Sequence, residues 1–158
     1  MIEKDELLSL IPHRGKMVML SRISDFDTKK RTLDAEFDIE PSCIFYDASM
    51  QGMPAWAGFE CMAQAISALS GLSSRELSLP RRAGAILSVS NLDITRPVLS
   101  SRIKIRVWED CRMDSIFMFN GLISCGGETA LCAELTVIDV EHIEDLSDNS
   151  RFGKRSKD

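Results

Sequence analysis

The chain has 158 residues, 44% of them hydrophobic, and carries a formal net charge of −5 from 24 acidic and 19 basic residues. This length suits a single domain with a proper core, and an acidic balance spread along the chain argues against nucleic acid as the main partner, because phosphate binding needs a basic face. The charged, amphipathic start MIEKDELLSL does not read as a secretory leader, and no apolar run approaches the roughly 18 residues of a membrane span, so a cytoplasmic protein is expected.

The five cysteines, Cys43, Cys61, Cys111, Cys125 and Cys132, are odd in number and lack short paired spacings. Neither a disulfide framework nor a zinc site is expected, and a reducing compartment fits. His13 and His142 are the only histidines, which leaves no histidine-rich metal cluster and at most two imidazoles for catalysis. No metal and no cofactor are implied.

In chain order, residues 3–11 place Leu7, Leu8 and Leu10 among charges and stop at Pro12, which predicts a short amphipathic helix. The chain then turns through His13, Arg14 and Gly15 and becomes apolar over 17–20, which suits a first strand. Residues 29–39 alternate Leu33, Ala35, Phe37 and Ile39 with polar residues, the pattern of a half-buried strand. A hairpin through Asp27 and Thr28 would join the two. Residues 40–53 contain Pro41 and Gly52 and show no period, and a loop this long in a compact domain is a candidate binding or active-site loop.

Residues 54–72, PAWAGFECMAQAISALSGL, predict one long buried helix. Pro54 suits a first turn, and Gly71 with Ser73 and Ser74 suits a stop. Phe59, Met62, Ile66 and Leu69 form one apolar stripe, and Ala57, Cys61, Ala65, Ala68 and Leu72 form a second face of mostly small residues. Only Glu60, Gln64 and Ser67, with Trp56 one turn earlier, make a polar strip. Glu60 is the anomaly, since a carboxylate in such surroundings is costly unless it is paired, hydrogen-bonded or protonated.

After polar residues 73–80, four strands are expected at 83–94, 101–108, 115–125 and 129–140, with Arg96 and Pro97 marking a bend and Gly126 and Gly127 a turn. Joined by short connections, they imply an antiparallel meander. Residues 1–146 form one domain in this reading, and the polar tail 147–158 is expected to be unstructured. The class is α+β, an antiparallel sheet curled around one long helix so that both of its apolar faces acquire neighbours.

Two stretches, IPHRGKMVMLSRI and PAWAGFECMAQAISALSG, resemble the signatures of the hotdog-fold 3-hydroxyacyl carrier-protein dehydratases of bacterial fatty acid synthesis. In that family a Pro-His-Arg turn enters the first strand, and the central helix opens with Pro, carries an acid and continues Met-Ala-Gln. The Trp in PAWAGFECMAQ brings the chain nearer to the dehydratase-like subunits of aryl polyene pathways. The resemblance implies a hotdog fold, paired subunits with acyl tunnels at their interface, and 3-hydroxyacyl thioesters on an acyl carrier protein or coenzyme A as substrates. It maps the helix acid onto Glu60. It places the family's loop histidine, contributed by the other subunit, at Tyr46, and residues 43–59 contain no histidine.

Dehydration of a 3-hydroxyacyl thioester needs a base for the C2 proton, an acid for the C3 hydroxyl and donors on the thioester oxygen. Glu60 is the leading catalytic candidate. Tyr46 is a poor replacement for histidine, because an unperturbed phenol ionises only near pH 10, and Asp47 stands beside it as a further candidate. His13 is read first as a structural turn histidine bonded to backbone and second as an active-site base. Gln64 is read as an orienting residue, Trp56 as tunnel wall, and the backbone around Ala55 as a donor to the thioester with the helix dipole behind it. Arg81, Arg82 and Arg96 could dock an acidic carrier protein. The pair implied is a homodimer or a heterodimer with another hotdog subunit, and a histidine-bearing partner subunit would supply the missing group across the interface. The alternatives are a thioesterase in which Glu60 activates water or attacks the acyl carbon, and a non-catalytic acyl-binding or scaffolding subunit.

Overall fold

A computed structural model describes residues 1–140; the tail 147–158, the end of the proposed domain and His142 lie outside the described residues. Its elements in chain order are α1 Lys4–Leu10, β1 Arg22–Asp27, β2 Thr32–Asp38, β3 Met53–Pro54, α2 Gly58–Glu76, β4 Ala83–Ile94, β5 Val98–Leu99, β6 Arg102–Met113, β7 Ile116–Cys125 and β8 Glu128–Val140. Six strands form one antiparallel sheet in the order β1-β2-β6-β7-β8-β4, and β3 pairs with β5 separately. The 19-residue helix α2 packs on the concave face, and the arrangement is a hotdog fold.

The sheet's inner face follows the period-2 alternation of its sequence. Leu33, Ala35 and Phe37 of β2 lie beside Val107, Ile105 and Ile103 of β6, and all six are buried. Opposite them α2 presents Cys61, Met62, Ala65, Ala68 and Leu69, each fully buried. Small residues there let the helix seat deeply: a Cβ at Gly58 would stand 2.6 Å from Ile123 Cδ1.

Three expectations change. The apolar stretch 17–20 is not a strand: Gly15–Met17 is a 3-10 turn, and strand pairing begins at Arg22. Val18, Met19 and Leu20 are buried all the same, because a side-chain amide, Gln64, takes up backbone groups that a neighbouring strand would otherwise satisfy. The β1–β2 turn spans 28–31 and not Asp27–Thr28 alone, with Asp27 Oδ1 accepting from the N–H groups of Lys29 and Lys30 at 2.9 Å each and Arg31 at φ 56°. Only β6-β7-β8 form a meander; β4 crosses to the far edge beside β8.

The helix also runs past its expected stop. Gly71, Ser73 and Ser74 continue it to Glu76, and Gly71 has a packing role instead, since a Cβ there would come 2.6 Å from the carbonyl oxygen of Leu10 at the end of α1. The glycine is where α1 crosses α2 backbone to backbone. Before the helix, Pro54 lies in β3, and Ala55–Ala57 form a 3-10 turn. Among the described residues, no helix is long and apolar enough to cross a membrane.

Candidate active site

The segment after α1 runs back along α2 and delivers His13 to Glu60, with His13 Nε2 3.2 Å from Glu60 Oε1. Gln64, one helical turn after Glu60, fixes this approach. Its side chain is fully buried; its Nε2 donates to the Met17 carbonyl at 2.6 Å and to Glu60 Oε1 at 2.9 Å, while its Oε1 accepts from the Met19 N–H at 2.9 Å. One amide thus ties the strand-like segment to the helix and orients the carboxylate, which is what an i, i+4 pair on one helix face can do.

Glu60 is not sealed in the core. Its side chain is 18% exposed and that of His13 27%, and both line a groove of about 330 Å³ between α2, residues 12–13 and the ends of β4, β7 and β8. The helix contributes Ala63, Ile66, Ser67 and Ser70 to this groove, and the sheet contributes Phe117, Phe119 and Val137. Among the described residues, two buried side-chain polar atoms lack a hydrogen-bond partner, His13 Nδ1 and Asp139 Oδ1, and both residues line the groove. An unpaired buried polar atom is costly, and both of these belong to residues on the groove wall.

The other sequence candidates fall elsewhere. Among the described residues the His13 side chain makes no bond to backbone in the manner of a turn histidine; its neighbour Arg14 does, donating to the carbonyls of Ile11 and His13 at 2.7 and 2.6 Å. Tyr46 is part-buried beside the core, its N–H donates to the Cys43 carbonyl, and none of residues 40–53 lines the groove. Asp47 is bound up inside that loop: a hydrogen bond from the Ser49 hydroxyl, then one from its N–H, hold the carboxyl below its usual range. Trp56 is 51% exposed and sits edge-on to Phe45 with centroids 5.8 Å apart, outside the groove, because its neighbours Ala55 and Ala57 take the inward positions of the turn. Ala55 N–H is already committed to the Pro97 carbonyl at 2.9 Å and is not available to a thioester. Arg81 and Arg82 line the groove, Arg82 pairing with Asp139 at 2.9 Å, whereas Arg96 donates to the Cys125 carbonyl and secures the β7–β8 turn.

One groove residue had no signal in the sequence. Arg31, in the β1–β2 turn, reaches the end of the groove away from His13, where its Nε donates to Glu109 Oε2 at 2.8 Å and its Nη1 to Ser73 Oγ at 2.5 Å. Its only sequence trace is a basic residue in a turn, the commonest of surface patterns.

No curated protein matches the sequence. Among solved structures, the dehydratase heterocomplex ApeI:P from Xenorhabdus doucetiae is similar with a TM-score of 0.80 at 19% identity, covering 94% of this chain and 97% of that chain. A mutant thioesterase from Pseudomonas aeruginosa (TM-score 0.56, 16% identity, 77% and 81% covered) and a hypothetical thioesterase with coenzyme A from Streptococcus pneumoniae (TM-score 0.59, 10% identity, 77% and 86% covered) share the fold at lower similarity. A family model described as ApeP-like, ApeP dehydratase, matches residues 6–148, and the chain therefore belongs to the ApeP-like dehydratase family.

Proposed function

We propose that the chain is a 3-hydroxyacyl thioester dehydratase subunit in which Glu60 and His13 handle the proton transfers. The observation that carries this reading is the 3.2 Å contact between His13 Nε2 and Glu60 Oε1 at one end of the groove. Elimination of water across C2–C3 needs a proton removed from C2 and one delivered to the departing hydroxyl, and two groups of different chemistry 3.2 Å apart can divide those tasks. Both the His13 and Gln64 contacts fall on Oε1, which leaves Glu60 Oε2 to meet the substrate at C2. His13 then exchanges a proton with the carboxylate and supplies the hydroxyl, which leaves as water. The proton partner that a loop histidine would provide is thus supported from within this chain.

The substrates are 3-hydroxyacyl chains on an acyl carrier protein or coenzyme A, of the kind made in fatty acid or aryl polyene biosynthesis. A second hotdog subunit, identical or different, is also part of the proposal. Strand β4 has twelve residues, pairs on one side only among the described residues, and leaves Leu87 and Leu92 53% and 45% exposed. Since α2 packs on β2, β6, β7 and β8 but not closely on β4, the groove stays open along the edge that a partner would cover. The heterocomplex similarity supports a pair of unlike subunits.

The test is co-purification from the native host, mass spectrometry for a second hotdog chain, and assay of the resulting complex on 3-hydroxyacyl thioesters. Enoyl product that disappears with Glu60→Gln is expected. Release of free thiol without enoyl product supports the thioesterase reading, in which Glu60 activates water. Neither activity, with the partner still stabilised, makes the chain a scaffold.

A further inference from the structure

Resting on the reading of the groove as an acyl site, we propose that Arg31, clamped by Glu109 and Ser73, is the end wall that limits how long an acyl tail the groove accepts. The groove offers a tail apolar contact from Ala63, Ile66, Phe119 and Val137, beside the polar Ser67 and Ser70. Arg31 meets the helix at Ser73, well along α2 from Glu60. The Arg31 and Glu109 side chains are only 19% and 10% exposed, and Glu109 also accepts from Arg112 Nε at 3.0 Å. Arg112 in turn lies 4.6 Å over the ring of Phe117, itself a wall residue.

Burial pushes the Glu109 carboxyl up, but the hydrogen bonds from Arg112 and Arg31 outweigh it and hold the group below its usual range. A methyl terminus driven into this cluster would have to strip or split an ion pair already partly removed from water, which is unfavourable whichever charge is left behind. The backbone points the same way: Arg31 sits at φ 56°, a conformation that L-residues with long side chains seldom adopt, and its carbonyl accepts the Glu109 N–H at 3.0 Å. The turn and β6 therefore hold the guanidinium at the groove end from both backbone and side chain.

The helix gives the scale. From Glu60 to Ser73, at a rise of about 1.5 Å per residue, the axial distance is about 20 Å, which corresponds to roughly 16 extended bonds at about 1.2 Å each. Up to that limit each methylene added should tighten binding by about four-fold, and beyond it affinity should fall.

The measurement is calorimetric affinity for amide analogues of 3-hydroxyacyl pantetheine, graded in chain length, on the full chain with any co-purifying subunit. Wild type should show a break in affinity, and Arg31→Ala should move it outward by about four carbons, the reach of the missing side chain at about 1.2 Å per bond. Ser67→Leu, which fills the middle of the groove, should move the break inward and decides the matter if Arg31→Ala does not fold. Affinity that does not depend on length, or a break that stays put in the folded variants, overturns the end-wall assignment. Absence of turnover with the break intact would sink the dehydratase reading and leave this one standing.

Discussion

The two long faces of α2 are built for different ends. Toward β2, β6 and β7 the helix presents Gly58, Cys61, Ala65 and Leu69, all buried, and nothing on that face can ionise except the Cys61 thiol, which burial first and then the neighbouring Glu60 charge push far above its usual value. Toward the groove it presents Glu60, Ala63, Ser67 and Ser70, each only part-buried. The difference teaches that the same rod supplies rigidity on one side and, in the function proposed above, chemistry on the other, and that residues one step apart around it serve different ends. Substitutions should sort accordingly into those that lower the melting temperature and those that lower turnover.

The largest expected effect lies on the groove face. Glu60→Gln and His13→Ala should each reduce dehydration by the active complex about 100- to 10,000-fold, the range for loss of a positioned proton-transfer group, with the thermal midpoint nearly unchanged. Equal loss of activity and of folding would erase the distinction between the faces. On the sealed face, Leu69→Ala should cost about 2 to 5 kcal/mol by opening a cavity and leave the chemistry of the folded fraction intact, as read by denaturant unfolding alongside specific activity.

Gln64 stands between the two faces and should show both phenotypes. Gln64→Ala leaves the Met17 carbonyl and Met19 N–H unpaired, at a cost of about 1 to 3 kcal/mol for a buried group left without its partner, and it frees the segment carrying His13, so stability and turnover should fall together. The smallest effect is acid sensitivity at the groove's end. The Glu109 carboxyl is held below its ordinary value of 4.5 by Arg112 and Arg31 against the opposing pull of burial, so its contribution to stability is present above that value and is lost as pH falls through the lowered one. Glu109→Gln should flatten the stability profile in that acid range and leave neutral pH little affected.

Much of this division was legible in the sequence. The polar strip through Glu60 and Ser67 on an otherwise apolar helix located the groove face, and alternation gave β2, β4, β7 and β8 to within about three residues, with β6 running five residues beyond its expected end. The pairing of β4 with β8 was not legible, because period-2 patterns fix which face of a strand is buried and say nothing about which neighbour it chooses. Gln64 shows the limit most clearly. It belonged to the polar strip by spacing, yet it is fully buried, since its three hydrogen bonds go to residues about 45 positions earlier and to Glu60. The His13 contact is hidden for the same reason: a turn histidine and a catalytic one differ only in what the fold brings beside them. Gly71 reads locally as a helix stop, and only the crossing of α1 reveals why the helix continues through it.

The bare rim of β4 carries a consequence for how a cell must make this protein. A twelve-residue ribbon with one side unbonded among the described residues and leucines turned outward is open to joining a compatible ribbon, including a misfolded copy of itself. If the proposed second subunit is the mate, its balanced synthesis, so that it is already at hand when this chain leaves the ribosome, would then matter as much to yield as the stability of either fold, and overproduction of this chain alone should send it into inclusion bodies.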